Sequence, residues 1–193
     1  INIPDFAISL GRAFWPGPMT LILNRSALAP DFITGGQDTV GIRVPNHPIA
    51  LALLNEFEKI GGKGVAAPSA NRFGHVSPTT AEAVNNELAK FLSHDDLILD
   101  GGPSQVGVES TIIDCTGPAP RILRPGAVTL AMISGSTGIG EQELSDAQKS
   151  DAEAEAVRVS GSLEKHYAPM AKVLLCETPL SGQGFVAHAK IQT

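Results

Sequence analysis

The order of apolar and amphipathic runs predicts an α/β (α+β) domain, a mixed twisted sheet with flanking helices. Three observations carry that expectation. Residues 19–23 form a continuous apolar run behind the rigid turn Trp15-Pro16-Gly17-Pro18, as a buried strand does. Residues 39–44 alternate and are stopped by Pro45, the pattern of a second strand. Residues 47–60 place Ile49, Leu51, Leu53, Leu54, Phe57 and Ile60 at helical spacing before Gly61-Gly62, which predicts a helix with a core-facing stripe.

The remaining elements follow in order. Residues 4–14 read as the end of an amphipathic helix. Residues 63–84 are the stretch around which the chain is organised: a short apolar run at 65–67, a loop rich in small hydroxyl and amide side chains, and a helix from Ala81 to about Leu92. Thr79 followed by Glu82 has capping-box spacing. A loop entering a helix exposes N–H groups at the positive end of the helix dipole and suits an anionic group, although the same residues also serve as a plain turn and cap. Residues 97–99, 111–114 and 121–123 read as further strands, 129–133 as a short helix, and 171–175 as the first strand of another unit. No internal repeat is visible.

Composition bounds the function classes. With 193 residues, 42% of them hydrophobic, the chain can bury a full core. Six acids and one lysine fall between Glu141 and Ala156, so this run carries most of the net charge of −6. It reads as a solvated linker with at most a little helix. The body is close to neutral and has no basic stripe, which disfavours a broad nucleic-acid-binding face. There is no apolar run of membrane-spanning length and no secretory signal, and Cys115 and Cys176 read as reduced thiols, so a cytoplasmic protein without membrane association is expected. Because the chain starts with Ile and ends in a fresh apolar segment, it is expected to be a piece of a longer protein.

Few residues stand out for chemistry. Arg43 interrupts an apolar strand before Pro45, either as a snorkelling surface residue or as a guanidinium aimed at a carboxylate or phosphate. Ser110-Thr111 opens a strand after a Gly-rich loop, and Arg124 stands in Arg-Pro-Gly at a strand end; each either serves a turn or lines a pocket. No serine lies in a nucleophile elbow, no cysteine context implies activation, and the five histidines lack metal spacing. No Walker-type phosphate loop is present. The residues by themselves describe a polar, Arg-bearing pocket for a small anionic ligand.

In combination the motifs go further. Phe14-Trp15-Pro16-Gly17-Pro18-Met19-Thr20-Leu21-Ile22-Leu23, Thr39-Val40-Gly41-Ile42-Arg43-Val44-Pro45 with His47-Pro48, Ala67-Pro68-Ser69-Ala70-Asn71 with Ser77-Pro78-Thr79, Asp100-Gly101-Gly102, Gly107-Val108-Glu109-Ser110-Thr111-Ile112 and Leu123-Arg124-Pro125-Gly126 come in one order. Over residues 10–130 this order resembles the YrdC-like family. Lys165-His166-Tyr167-Ala168-Pro169 resembles the segment that leads, in longer members, to a Rossmann-like domain. The implied organisation is a YrdC-like domain over 1–133, a linker or lid over 134–169 and the start of a C-terminal domain over 170–193.

The resemblance implies an L-threonylcarbamoyladenylate synthase, a nucleotidyltransferase of tRNA processing. It joins L-threonine, bicarbonate and ATP, with Mg2+ accompanying the ATP and no bound organic cofactor, and releases pyrophosphate. A downstream tRNA threonylcarbamoyl transferase complex would use the product for threonylcarbamoyladenosine biosynthesis. By motif match, Arg43, Ala67 and Ser110 would bind threonine, and Thr39, Ser69, Asn71, Ser77, Arg124, His166 and Tyr167 would serve the ATP site. No protein metal ligand and no enzyme nucleophile is implied. The Lys165 segment is preceded by Ser162-Leu163-Glu164, which departs from the Gly-Met-Lys-Tyr type of sequence. The family's leading Pro-Thr-Glu-Thr-x-Tyr-Gly loop and Lys-x-Arg motif are also not found, so this segment alone is expected to be inactive or very weak. Two alternatives stay open: a carbamoyl-adenylate-forming enzyme of the hydrogenase-maturation type, and a non-catalytic RNA-binding module. Direct RNA contact is left undecided.

Overall fold

The computed structural model describes residues 2–150 together with 157 and 159. Helix α1 (Asp5–Phe14) leads through the Trp15–Pro18 turn into β1 (Met19–Asn24). A single helical turn, α2 (Asp31–Thr34), precedes β2 (Thr39–Ile42), and α3 (Pro48–Lys59) follows. The long loop then reaches α4 (Ala81–Leu88), continued by a 3-10 turn over Ala89–Phe91. Strands β3 (Thr111–Asp114) and β4 (Arg121–Arg124) are followed by α5 (Leu130–Thr137) and α6 (Glu141–Ser150).

The four strands form one mixed sheet in the order β2-β1-β3-β4. β1 runs antiparallel to β2 and parallel to β3, and β3 runs antiparallel to β4. The register pairs Met19 with Thr111 and Leu21 with Ile113, so these four side chains share one face by the two-residue pleat. All four are essentially inaccessible to water, and they join Ala7 and Leu10 of α1, Ile133 of α5 and Leu144 of α6 in the core. The other face carries Thr20, Ile22 and Ile112, with Gly41 paired to Ile22. The helices thus pack on one side of the sheet, and the site forms over the other, where Ile22 and Ile112 are themselves buried.

Two buried polar side chains next to this core, Thr111 and Asp114, are paired. Thr111 Oγ1 donates to Val128 O at 2.9 Å and accepts from Val128 N at 2.8 Å, which ties β3 to the chain entering α5. Asp114, only 4% exposed, accepts from Arg121 Nη2 at 3.0 Å and from Thr116 N and Oγ1. These bonds satisfy groups whose unpaired burial would cost about 1–3 kcal/mol each.

Several expectations meet a correction. The helix after the long loop starts at Ala81, but its cap is Thr80, whose Oγ1 accepts from Ala83 N at 3.1 Å, so Thr79 and Glu82 are not the capping pair. Residues 65–67 and 97–99 are not strands: no ladder partner meets them among the described residues, and Val65, Leu97 and Leu99 are exposed. Helix α3 forms where its pattern places it, yet no residue of it is buried, and Ile49 and Leu53 face solvent because no described element packs along its stripe. In the acidic run, residues 141–150 are a full helix rather than solvated coil. Leu144 is completely buried, and Gln148 Oε1 accepts from Ile122 N at 3.1 Å, joining α6 to β4.

Leu144→Ala is expected to destabilise the protein by about 2–5 kcal/mol, the usual loss for a fully buried leucine. Leu53→Ala on the exposed stripe of α3 should cost no more than about 1 kcal/mol. Urea titration followed by circular dichroism measures both. Equal, small losses would mean that α6 is not part of the core.

Candidate functional site

Two guanidinium groups define the site. Arg43 follows the last residue of β2, and its Nε donates to Gly17 O at 3.1 Å, in the turn that enters β1. Gly17 N in turn donates to Val44 O at 2.8 Å, so turn and strand exit brace each other. Glycine is required at 17, since a Cβ there would lie 2.2 Å from Phe14 O. The Arg43 residue is exposed overall, yet protein crowds its charged end. Desolvation lowers its pKa first and repulsion from Arg124 second, while Glu109 acts in the opposite direction.

Arg124 closes β4 and is pinned to the start of β3. Its Nε and Nη2 donate to Ser110 O at 3.1 and 2.9 Å, and Nη2 also reaches Ser110 Oγ at 2.9 Å. Glu109 Oε2 pairs with Arg124 Nη2 at 3.3 Å. Ser110 is buried, and its hydroxyl lies 3.4 Å from Thr20 Oγ1 on the uncovered face of the sheet. The backbone of Gly126 approaches so closely that a Cβ would sit 2.3 Å from Glu109 O and 2.5 Å from Thr111 N. A planar, multidentate cation held in this way is aimed rather than mobile.

The long loop supplies the third wall. Ser77 Oγ donates to Glu109 Oε1 at 2.6 Å. Asn71 Nδ2 donates to Arg72 O and His75 O at 2.8 and 3.0 Å, folding the loop on itself. Outside this turn, Glu87 of α4 accepts from Arg72 N and Nε and lies 3.1 Å from His75 Nδ1; the Arg72 hydrogen bonds hold its pKa below the usual carboxylate range. The loop is therefore tied at one end to α4 and at the other to Glu109.

Of the residues singled out from sequence, Arg43, Ser77, Ser110 and Arg124 converge here, with Asn71 as the brace of the loop. Thr39 and Ala67 line a neighbouring cleft of about 520 Å3 over the uncovered face, together with Ile22, Thr34, Gly41, Val65, Pro68 and Val157. Ser69 is exposed and joins neither group, its carbonyl accepting from Asn71 N. His166 and Tyr167 lie outside the described residues. Glu109 and Thr20 were not singled out in the sequence: an acid in a Gly-rich loop and a threonine in an apolar strand carry no spacing signal. Among the described residues, no group of three His, Cys, Asp or Glu side chains comes together to hold a metal ion.

The chain matches the family model Sua5/YciO/YrdC, described as telomere recombination, over residues 2–126. It is 42% identical to the threonylcarbamoyl-AMP synthase of Pyrococcus abyssi over 92% of this chain and 49% of that one. It is 41% identical to the enzyme of the same name from Bacillus subtilis, over 90% of this chain and 47% of that one. The chain spans about half the length of these relatives. A crystal structure of P. abyssi Sua5 complexed with L-threonine superposes with a TM-score of 0.65 at 44% identity, covering 72% of this chain and 38% of that one. E. coli YciO superposes with a TM-score of 0.52 at 27% identity, covering 68% of this chain and 61% of that one.

Cys115 lies under the sheet, 1% exposed, and takes no part in the site. Burial, with a smaller contribution from Asp114, pushes its thiol up to about 12. Between the unfolded thiol's range and pH 12 the folded state keeps a proton that the unfolded state releases, so this group makes stability fall as pH rises through that window. At pH 9 the native thiolate population is on the order of 10³-fold below that of an unfolded cysteine. Iodoacetamide at pH 9, followed by peptide mass spectrometry, should leave Cys115 unmodified until urea unfolds the protein. Rapid labelling of the native form would contradict this placement.

Proposed function

The chain belongs to the Sua5/YciO/YrdC family, and from that premise we propose that its full-length gene product is an L-threonylcarbamoyladenylate synthase. The observation that carries this reading is the convergence of Arg43 and Arg124: Arg43 is anchored on Gly17 O and Arg124 on Ser110 O, and the residues next to these anchors are joined by the Thr111 N to Pro18 O bond of 3.0 Å. Such an arrangement favours a site for two neighbouring anionic groups, and a carboxylate beside a phosphate satisfies it. The synthase reaction demands this proximity. The threonine nitrogen takes up CO2 derived from bicarbonate, forming a carbamate. A carbamate oxygen then attacks the α-phosphorus of ATP, and the bond to the β-phosphate oxygen breaks to release pyrophosphate. Positioning and charge stabilisation carry such a transfer, and no enzyme nucleophile takes part.

Within this reading Arg43 takes the threonine carboxylate, and Ser110 and the backbone at Ala67 complete the threonine pocket. Thr39, Ser69, Ser77 and Arg124 hold the nucleotide, and Asn71 supports the loop between them. A magnesium ion would ride on the triphosphate oxygens and water; Glu109, the carboxylate of this cluster, has both oxygens engaged by Ser77 and Arg124. His166 and Tyr167, in a linker that would follow α6 and not start at 134, would cover the bound nucleotide and keep water from the mixed anhydride. Residues 170–193 would begin a C-terminal domain. The product would pass to a tRNA threonylcarbamoyl transferase complex in the cytoplasm. No described helix is long and apolar enough to cross a membrane.

The test is ATP–pyrophosphate exchange by the full-length gene product with bicarbonate present. Exchange should require L-threonine, and serine should not replace it. Exchange driven by carbamoyl phosphate without threonine would replace this reading with the carbamoyl-adenylate enzyme. RNA binding with a steep salt slope, in the absence of any exchange, would replace it with the RNA module.

A further inference from the structure

The Glu109 carboxylate lies between the three parts of the site, with each oxygen committed to a different one. Oε1 accepts the Ser77 proton at 2.6 Å, and Oε2 pairs with Arg124 Nη2 at 3.3 Å. The first distance belongs to the short, charge-assisted class of about 2.5–2.7 Å. Ser77 has a single proton, and its other acceptor, Asn71 Oδ1, is 3.4 Å away, so the proton goes to Glu109. To any further partner the hydroxyl then presents only lone pairs. The same carboxylate also offsets the charge of Arg43 against that of Arg124.

We propose that Glu109 is a positioning residue of the nucleotide site, which fixes the polarity of the Ser77 hydroxyl and the direction of the Arg124 guanidinium. The inference deepens the synthase reading and rests on it for the identity of the ligand. Ser77 becomes an acceptor for a ligand N–H or O–H, such as a ribose hydroxyl, and leaves phosphate contact to Arg124. Glu109 joins residues 77 and 124, which reach the site from two separate segments of the chain, so its removal loosens both at once.

Glu109→Gln separates charge from shape. The amide oxygen can still accept from Ser77, but its NH2 faces Arg124 donor against donor. In the exchange assay with full-length protein, E109Q and Ser77→Ala should each raise the ATP KM about tenfold while kcat stays within about threefold. Glu109→Ala, which removes both contacts, should raise the ATP KM further than E109Q, and adding Ser77→Ala to it should cost little more, because Ser77 acts through its contact with Glu109. Wild-type kinetics in E109Q, additive losses, or a kcat loss that tracks a lowered melting temperature would overturn the proposal.

A second arm needs no activity. Phenylglyoxal modification of Arg124, followed by peptide mass spectrometry, should run at least about fivefold faster in E109Q than in wild type, because the carboxylate shields the guanidinium. An unchanged rate overturns the clamp. If wild-type protein shows no threonine-dependent exchange, the synthase reading fails, and the modification rate still decides the role of Glu109.

Discussion

The site depends on holding two positive charges where they repel each other. Arg43 sits at the exit of β2 and Arg124 at the end of β4, strands on opposite edges of the sheet. Desolvation and mutual repulsion both work against the charged form of Arg43. The fold holds the two groups there with fixed hydrogen bonds, to Gly17 O for Arg43 and to Ser110 O for Arg124. Glu109 offsets part of the excess charge. What remains is attraction for an anion, already aimed before the ligand arrives.

The sheet makes this arrangement possible by using its two faces differently. Met19, Leu21, Thr111 and Ile113 face the helices and exclude water, and Thr111 ties β3 to the start of α5. With that side fixed, Thr20, Ile22 and Gly41 on the reverse side form the floor of the cleft and the approach to Ser110. A residue added at Gly17 or Gly126 would collide with backbone and move an arginine's anchor, so those glycines belong to the site as much as the charges do.

Much of this was legible in the sequence, for physical reasons that can be named. β1 was visible because a buried strand is continuously apolar, and Arg43 because a cation interrupts such a pattern just before a proline. Motif order brought Ser77, Ser110 and Arg124 together, although nothing in their separate contexts required it. Glu109 was not legible, since its role comes from a contact with Ser77 across 32 positions. The acidic run over 141–150 looked solvated because its single leucine, Leu144, is outnumbered by polar neighbours; one buried side chain anchors the helix all the same. Helix α3 was the reverse case: periodicity gave the helix correctly but could not supply a surface for its stripe to pack against. At Thr80 and Thr79 the ambiguity was one of register, because either threonine has the chemistry of a cap.

The central claim is that the Arg43 guanidinium receives the carboxylate of L-threonine. Calorimetric titration of L-threonine into the full-length gene product, repeated with Arg43→Ala and with serine as the competing ligand, tests it most directly. The account predicts threonine-selective binding that weakens roughly 10- to 100-fold in the variant, the worth of one charge-assisted pair. Threonine affinity unchanged by Arg43→Ala, or no selectivity over serine, would contradict it.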